Sequence, residues 1–190
     1  MSESHSLSAK PPFFEPLGAH HDRAGFHCGE ASLNDFLWQR ARQNAERNLG
    51  VTHVAVADPG ETAILGYYTL LVRSIEREDF ANSKKLPPGE IGVALLARLA
   101  VGQSAQSRGL GTGMLLRAIT QTERAARDLG IHALVVHALN ERAKAWYLGL
   151  DFGFELLTDN PLHLCLSLGK IRQLGLGEQS ALMTIGQTQG

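Results

Sequence analysis

The chain has 190 residues, 44% of them apolar, a formal charge of −1 and two cysteines. This is enough to bury one sizeable core in one domain, and the charge excludes nucleic-acid binding driven by overall basicity while leaving room for a local basic groove. Cys28 and Cys165 form neither a disulfide framework nor a CxxC metal pair, so a reducing compartment is expected. The Ser-rich start has no apolar stretch of signal-peptide length and nothing elsewhere approaches a membrane span, so the expected protein is soluble and cytoplasmic. Residues 1–12 and 175–190 read as flexible tails around a domain over 13–174.

In chain order, Ser32 with Asp35 resembles a capping box, and Leu33, Phe36, Leu37 and Ala41 repeat at helical spacing, predicting a helix to about Asn48. Arg40, Arg42 and Arg47 mark its other face, either solvated or a binding surface. Val51 to Ala57 and Ile64 to Val72 read as a hairpin around Asp58-Pro59-Gly60. Residues 74–90 are polar and predict a loop or short helix. Ile91 to Val101 is too continuously apolar for a half-wet strand and predicts a central one, with Arg98 as its exception. A long helix follows from Leu110 to Leu129, then a buried strand from His132 to Ala138. Asn140 caps a helix to about Leu148, and Leu162 to Ser167 closes the sheet. The fold class is a mixed α/β sheet flanked by helices.

Gln106-Ser107-Arg108-Gly109-Leu110-Gly111-Thr112-Gly113 joins the central strand to the long helix, where ligands of open α/β sheets bind. The first amides of a helix lack internal partners and sit at the positive end of its dipole, so a bare backbone there suits a diphosphate. Relief of a tight turn is the simpler explanation of the glycines. A dinucleotide site needs a third glycine later than Gly113, and a triphosphate loop needs a lysine that is absent.

The remaining pattern, Q-x-x-G-x-G after Arg98-Leu99-Ala100-Val101 and before Asn140 and Ala145-Trp146-Tyr147, resembles the GCN5-related N-acetyltransferase (GNAT) superfamily over residues 50–168. The segments Gly25 to Gly29, Leu33 to Leu37, Ala41 to Asn44, Asp159 to Leu164 and Lys170 to Arg172 are similar to the GNAT toxins of bacterial toxin-antitoxin modules. The resemblance implies a GNAT fold, with acetyl-CoA bound through the loop amides from Ser107 to Gly113 and through strand backbone at Leu99, Ala100 and Val101. Gln106 and Asn140 join that set and Arg108 adds a charge. It further implies acetyl transfer to the α-amino group of aminoacyl-tRNA, a ribbon-helix-helix antitoxin and a homodimer.

Acetyl transfer needs a neutral amine, stabilisation of the oxyanion and a proton for the thiolate. Tyr147, with an unperturbed pKa of about 10, suits the last role; alternatively it packs in the core beside Trp146. Five residues separate Tyr147 from Gly153-Phe154, where the family leaves three, so the helix continues or bulges there and the placement of Phe152 is open. A backbone N–H at Leu99 or Ala100 is the nearest oxyanion donor, and no general base is visible. Arg98 is either paired internally or in contact with the acceptor. Arg40, Arg42, Lys84 and Lys85 are candidate phosphate contacts. His20-His21 reads as surface, His132 and His137 read as core histidines, and no metal is expected. The competing readings are a GNAT acting on a small amine or a protein N-terminus, and a CoA-binding module without catalysis.

Overall fold

The computed structural model describes residues 11 to 176, so the expected tails lie almost entirely outside it. Seven strands form one sheet: β1 (Phe13–Pro16), β2 (Val51–Val56), β3 (Gly66–Glu76), β4 (Glu90–Val101), β5 (Ala133–His137), β6 (Glu155–Leu156) and β7 (His163–Ser167). Their spatial order is β1-β2-β3-β4-β5-β7-β6, with β4 and β5 parallel and every other pair antiparallel. The mixed α/β class and the β2–β3 hairpin are as expected.

Helix α3 (Leu110–Ala125) covers one face. Met114, Leu115, Ala118 and Ile119 are fully buried there against Leu96, Leu134, Val136 and Leu164. Truncating one such leucine costs about 2–5 kcal/mol. On the other face, Phe26, Phe36 and Leu37 pack on Val54 and Tyr67, and a second apolar group runs from Phe80 through Val93 and Val135 to Cys165. The shorter helices are α4 (Glu141–Gly149) and α5 (Leu168–Gln173), the latter capped by Ser167.

Several elements depart from expectation. The first helix is α1 (Ala31–Asp35), a π turn (Phe36–Arg40) and α2 (Ala41–Glu46) in succession. Ser32 lies inside it and no side chain caps its start; instead the buried Asn34 Oδ1 accepts from the Cys28 N–H at 2.9 Å. β3 runs on to Glu76 because β4 starts at Glu90 and supplies a partner for every added residue. Its outer half is largely exposed, Val72, Arg73 and Ser74 in succession, which is why Ser74 and Glu76 read as loop. Helix α3 stops at Ala125, four residues short of Leu129. The expected closing strand, β7, is internal because β6 pairs with its outer edge. β1 was not anticipated: it is four residues of edge strand ending at Pro16, a position where a missing N–H is tolerated.

Candidate active site

The site begins with a break in strand pairing. Thr69 faces Arg98 but Leu70 faces Leu96, leaving Ala97 as an extra, bulged residue on β4. Pairing of β4 with β5 ends at Leu96 opposite Val136, so from Ala97 to Val101 the strands part. Peptide groups alternate sides along a strand, and the Gly102 N–H turns to Leu65 on the β3 side at 2.8 Å. Ala100, paired with Tyr67, therefore also faces β3, whereas Leu99 and Val101 present their backbone to the open edge.

The loop after β4 ends in two left-handed residues, Ser107 (φ 61°) and Gly109 (φ 78°), the second being the N-cap of α3. No side chain caps α3, and its first internal bond is Gly113 N–H to Gly109 at 3.1 Å. The amides of residues 107 to 112 thus have no hydrogen-bond acceptor among the described residues. Successive free amides at a helix N-terminus form an anion nest. Arg108 and Gly109 are exposed, the Leu110 side chain is buried, and Gly111 and Thr112 are half-buried. Gln106 acts on the protein itself, its Nε2 donating to Cys28 O at 2.9 Å and Val101 O at 3.0 Å. It ties the loop to the segment before α1.

Asn140 caps α4, its Oδ1 accepting from the Ala143 N–H at 2.9 Å. That cap sets the helix so that Tyr147 is buried, edge-on to Trp146 (4.8 Å) and Phe154 (5.6 Å). Burial pushes the Tyr147 phenol well above its ordinary range, and its hydroxyl bonds to nothing among the described residues. Tyr147 remains a protonated, uncommitted donor. A Cβ on Gly111 would meet the Trp146 ring at 3.5 Å, so the tyrosine's neighbour borders the nest. The two extra residues before Phe154 neither extend the helix nor bulge it. They lie in a turn with left-handed Asp151 and Gly153, which returns Phe154 to the Tyr147 ring, with Phe152 half-buried against the same core.

On the opposite face a groove of about 280 Å³ opens where β4 and β5 part, lined by Phe36, Asn44, Arg73, Ala97, Arg98 and His137 among others. Of the two readings of Arg98, internal pairing is the one the structure does not show. No acid pairs with it among the described residues; Nη1 donates to Ala97 O at 2.7 Å and the guanidinium lies 4.9 Å from the Phe36 ring centre. Arg40 is exposed, and Arg42 is exposed but engaged by Glu46 at 2.9 Å. Lys84 and Lys85 lie in a short turn before β4, and Lys85 lines a separate pocket with Phe80, His132 and Lys170 at the start of β5. They do not converge on the site.

The histidines also differ from the reading of the sequence. His137 is exposed at the end of β5 and His132 is half-buried against Phe80, so neither is sealed in the core. His21 is buried rather than on the surface. Its Nδ1 accepts from Gly18 N–H and its Nε2 donates to Glu15, both at 2.8 Å, which leaves no lone pair for a metal beside His20. Arg73 and Asn44 were not singled out as site residues, and His137 was read as a core histidine. Only the alternation of Leu71 with Arg73 along β3 hinted at them.

Residues 25–154 match the model of the acetyltransferase (GNAT) family. The chain belongs to that family. It is an acetyl-CoA-dependent N-acetyltransferase with the GNAT fold, similar to the GNAT toxins of toxin-antitoxin modules. It is 36% identical to the tRNA-acetylating toxin of Mycobacterium tuberculosis (strain ATCC 25618 / H37Rv), over 80% of this chain and 90% of the relative. AtaT complexed with acetyl-methionyl-tRNAfMet superposes with a TM-score of 0.80 and 31% identity, covering 86% of this chain and 99% of AtaT. A tyrosine-to-phenylalanine mutant of AtaT bound to the C-terminus of the antitoxin AtaR and acetyl-CoA gives 0.75 and 30%, covering 87% and 99%.

The acetyltransferase site fits its cofactor on structural grounds. The free amides of 107–112 suit a diphosphate, and the outward N–H and C=O of Leu99, with the N–H of Val101, whose carbonyl is held by Gln106, suit the amides of a pantetheine arm. Acetyl-CoA supplies the activated acetyl group as a thioester. Among the described residues, no helix is long and apolar enough to cross a membrane.

Proposed function

We propose that the chain acetylates the α-amino group of an aminoacyl-tRNA in the cytoplasm, as the translation-blocking toxin of a toxin-antitoxin module. The observation that carries this reading is the groove on the far side of the β4–β5 opening. It brings Arg73 and Arg98, neither ion-paired among the described residues, to the mouth of the site. Two guanidiniums without an acid partner, one of them over an aromatic ring, suit a nucleotide end, its phosphate held by charge and its base by stacking. Arg40 lies on the helix that forms one wall of this face and extends the basic surface. Its overall charge of −1 is no obstacle, because phosphate contact requires cations only where the backbone passes.

In this reading Ser107 to Thr112 hold the diphosphate, Leu99 and Val101 align the arm, and a backbone N–H at Leu99 polarises the thioester carbonyl. Tyr147 gives its proton to the departing thiolate. The names of the relatives, and the complexes of AtaT with tRNA and with AtaR, support the acceptor and an antitoxin partner. A ribbon-helix-helix antitoxin and a homodimer complete the proposal.

The test is thiol release from acetyl-CoA with total charged tRNA, comparing the parent with Tyr147→Phe. The parent should turn over, and the variant should lose about 10²-fold or more in kcat with little change in KM. Equal rates for the two would refute the assignment of Tyr147, and activity on free amines but not on charged tRNA would favour a small-amine acceptor.

A further inference from the structure

The groove contains one group able to accept a proton near neutral pH. Among its lining residues there is no carboxylate; Arg73 and Arg98 remain charged at any working pH, and the rest are apolar or neutral. The exception is His137, the last residue of β5, one position beyond the last β4–β5 pair. It therefore stands at the fork of the two strands, on the wall opposite the Ala97 bulge.

The ring of His137 is held without using its nitrogens. It stacks on the His163 ring with centroids 3.7 Å apart and planes 16° from parallel. His163 is in turn fixed by Nδ1 contact with Asp159 Oδ2 at 2.6 Å, and the two histidines face each other across the β5–β7 pair. Neither ring nitrogen of His137 bonds to a described residue. An oriented imidazole with both in-plane positions open, in a groove with no other base, is placed to work on whatever enters that groove.

We propose that His137 takes the proton that the acceptor amine sheds as it is acetylated. The proposal rests on the reading of the groove as the acceptor's. In the step, the amine lone pair forms the C–N bond and the C–S electron pair departs with sulfur. The thiolate receives the Tyr147 phenol proton, and the surplus proton on nitrogen passes to a ring nitrogen of His137. Imidazolium and phenolate then re-equilibrate through solvent.

The charges around His137 favour its neutral form. Burial lowers its pKa, as do His163 on β7, Arg73 on β3 and Arg98 on β4, opposed by Asp159. The same guanidiniums disfavour an ammonium ion in the groove, so they press the acceptor toward its reactive neutral state.

The experiment compares the parent with His137→Gln on charged tRNA across pH, and follows the His137 ring by NMR titration. The expected result is a fall of about 10²-fold in kcat with KM for charged tRNA nearly unchanged. On the acid side kcat/KM of the parent should fall with loss of about two deprotonated groups, amine and imidazole, and that of the variant with about one. His137 should titrate below the ordinary histidine value of about 6.5. An active parent with an equally active His137→Gln, or with unchanged acid limbs, overturns the proposal and leaves the tRNA reading standing. So does a His137 ring still protonated at pH 8. A parent inert toward every charged tRNA overturns the acceptor reading and this proposal with it.

Discussion

At Gly109 the chain enters α3 with φ 78°, and a Cβ built there meets nothing within 4 Å. Any effect of a side chain at this position is therefore conformational or felt by a ligand. Gly109→Val should cost about 1–2 kcal/mol in urea unfolding, the penalty of a left-handed L-residue. It should also raise KM for acetyl-CoA more than it lowers kcat, since it turns the amides of the nest without touching Tyr147. A variant of lower stability and unchanged KM would mean that the nest does not hold the diphosphate. Ser107 bears the same left-handed geometry without being glycine (φ 61°), a cost that is found where backbone groups must converge.

The helix α4 is set by one cap, the Asn140 Oδ1 bond to Ala143 N–H. Asn140→Ala should lose about 1 kcal/mol of stability. Because the cap orients Tyr147 two turns on, kcat should fall as well; thermal unfolding together with thiol-release kinetics checks both, and Asn140→Asp, which keeps the acceptor, should restore them. This helix, the glycine loop and the central strand were legible in the sequence because their signals are local: a cap residue, a glycine spacing, an apolar run. The bulge at Ala97 was not legible, since it exists only in the register between β3 and β4. Nor was the groove. Arg73, Arg98 and His137 come from three strands and become neighbours only when the sheet places them on one face. His137 sits where a buried strand's alternation predicts the core, but the strand ends there, so its ring escapes. The first helix shows the converse failure: the plausible capping box at Ser32 does not form, because the helix already begins at Ala31 with Glu30 at its N-cap and no side-chain cap.

Taken across the molecule, the titratable groups bound the conditions under which the fold is most stable. All three tyrosines are buried and shifted upward: Tyr68 to about 12, Tyr67 and Tyr147 further, chiefly by loss of hydration. The unfolded chain releases these protons near pH 10 while the native chain retains them. Above pH 10 the unfolded state therefore binds fewer protons and stability falls as pH rises. On the acid side the order reverses. His53, His132 and His137 are all held below their ordinary value, again chiefly by burial. As pH falls through about 6.5 the unfolded chain gains those protons first, so stability falls as pH drops. Urea midpoints measured from pH 5 to 11 should form a plateau between about pH 7 and 10, bounded on both sides. The alkaline fall is the steeper test, because three groups releasing together reach a slope of about 4 kcal/mol per pH unit. Tyr147→Phe should soften that slope by about a third, since a phenylalanine has no proton to lose in the unfolded state. An alkaline limb of the same slope in the variant would mean that the Tyr147 phenol titrates in the native protein near pH 10, as it does in the unfolded chain, and that its burial does not hold the proton.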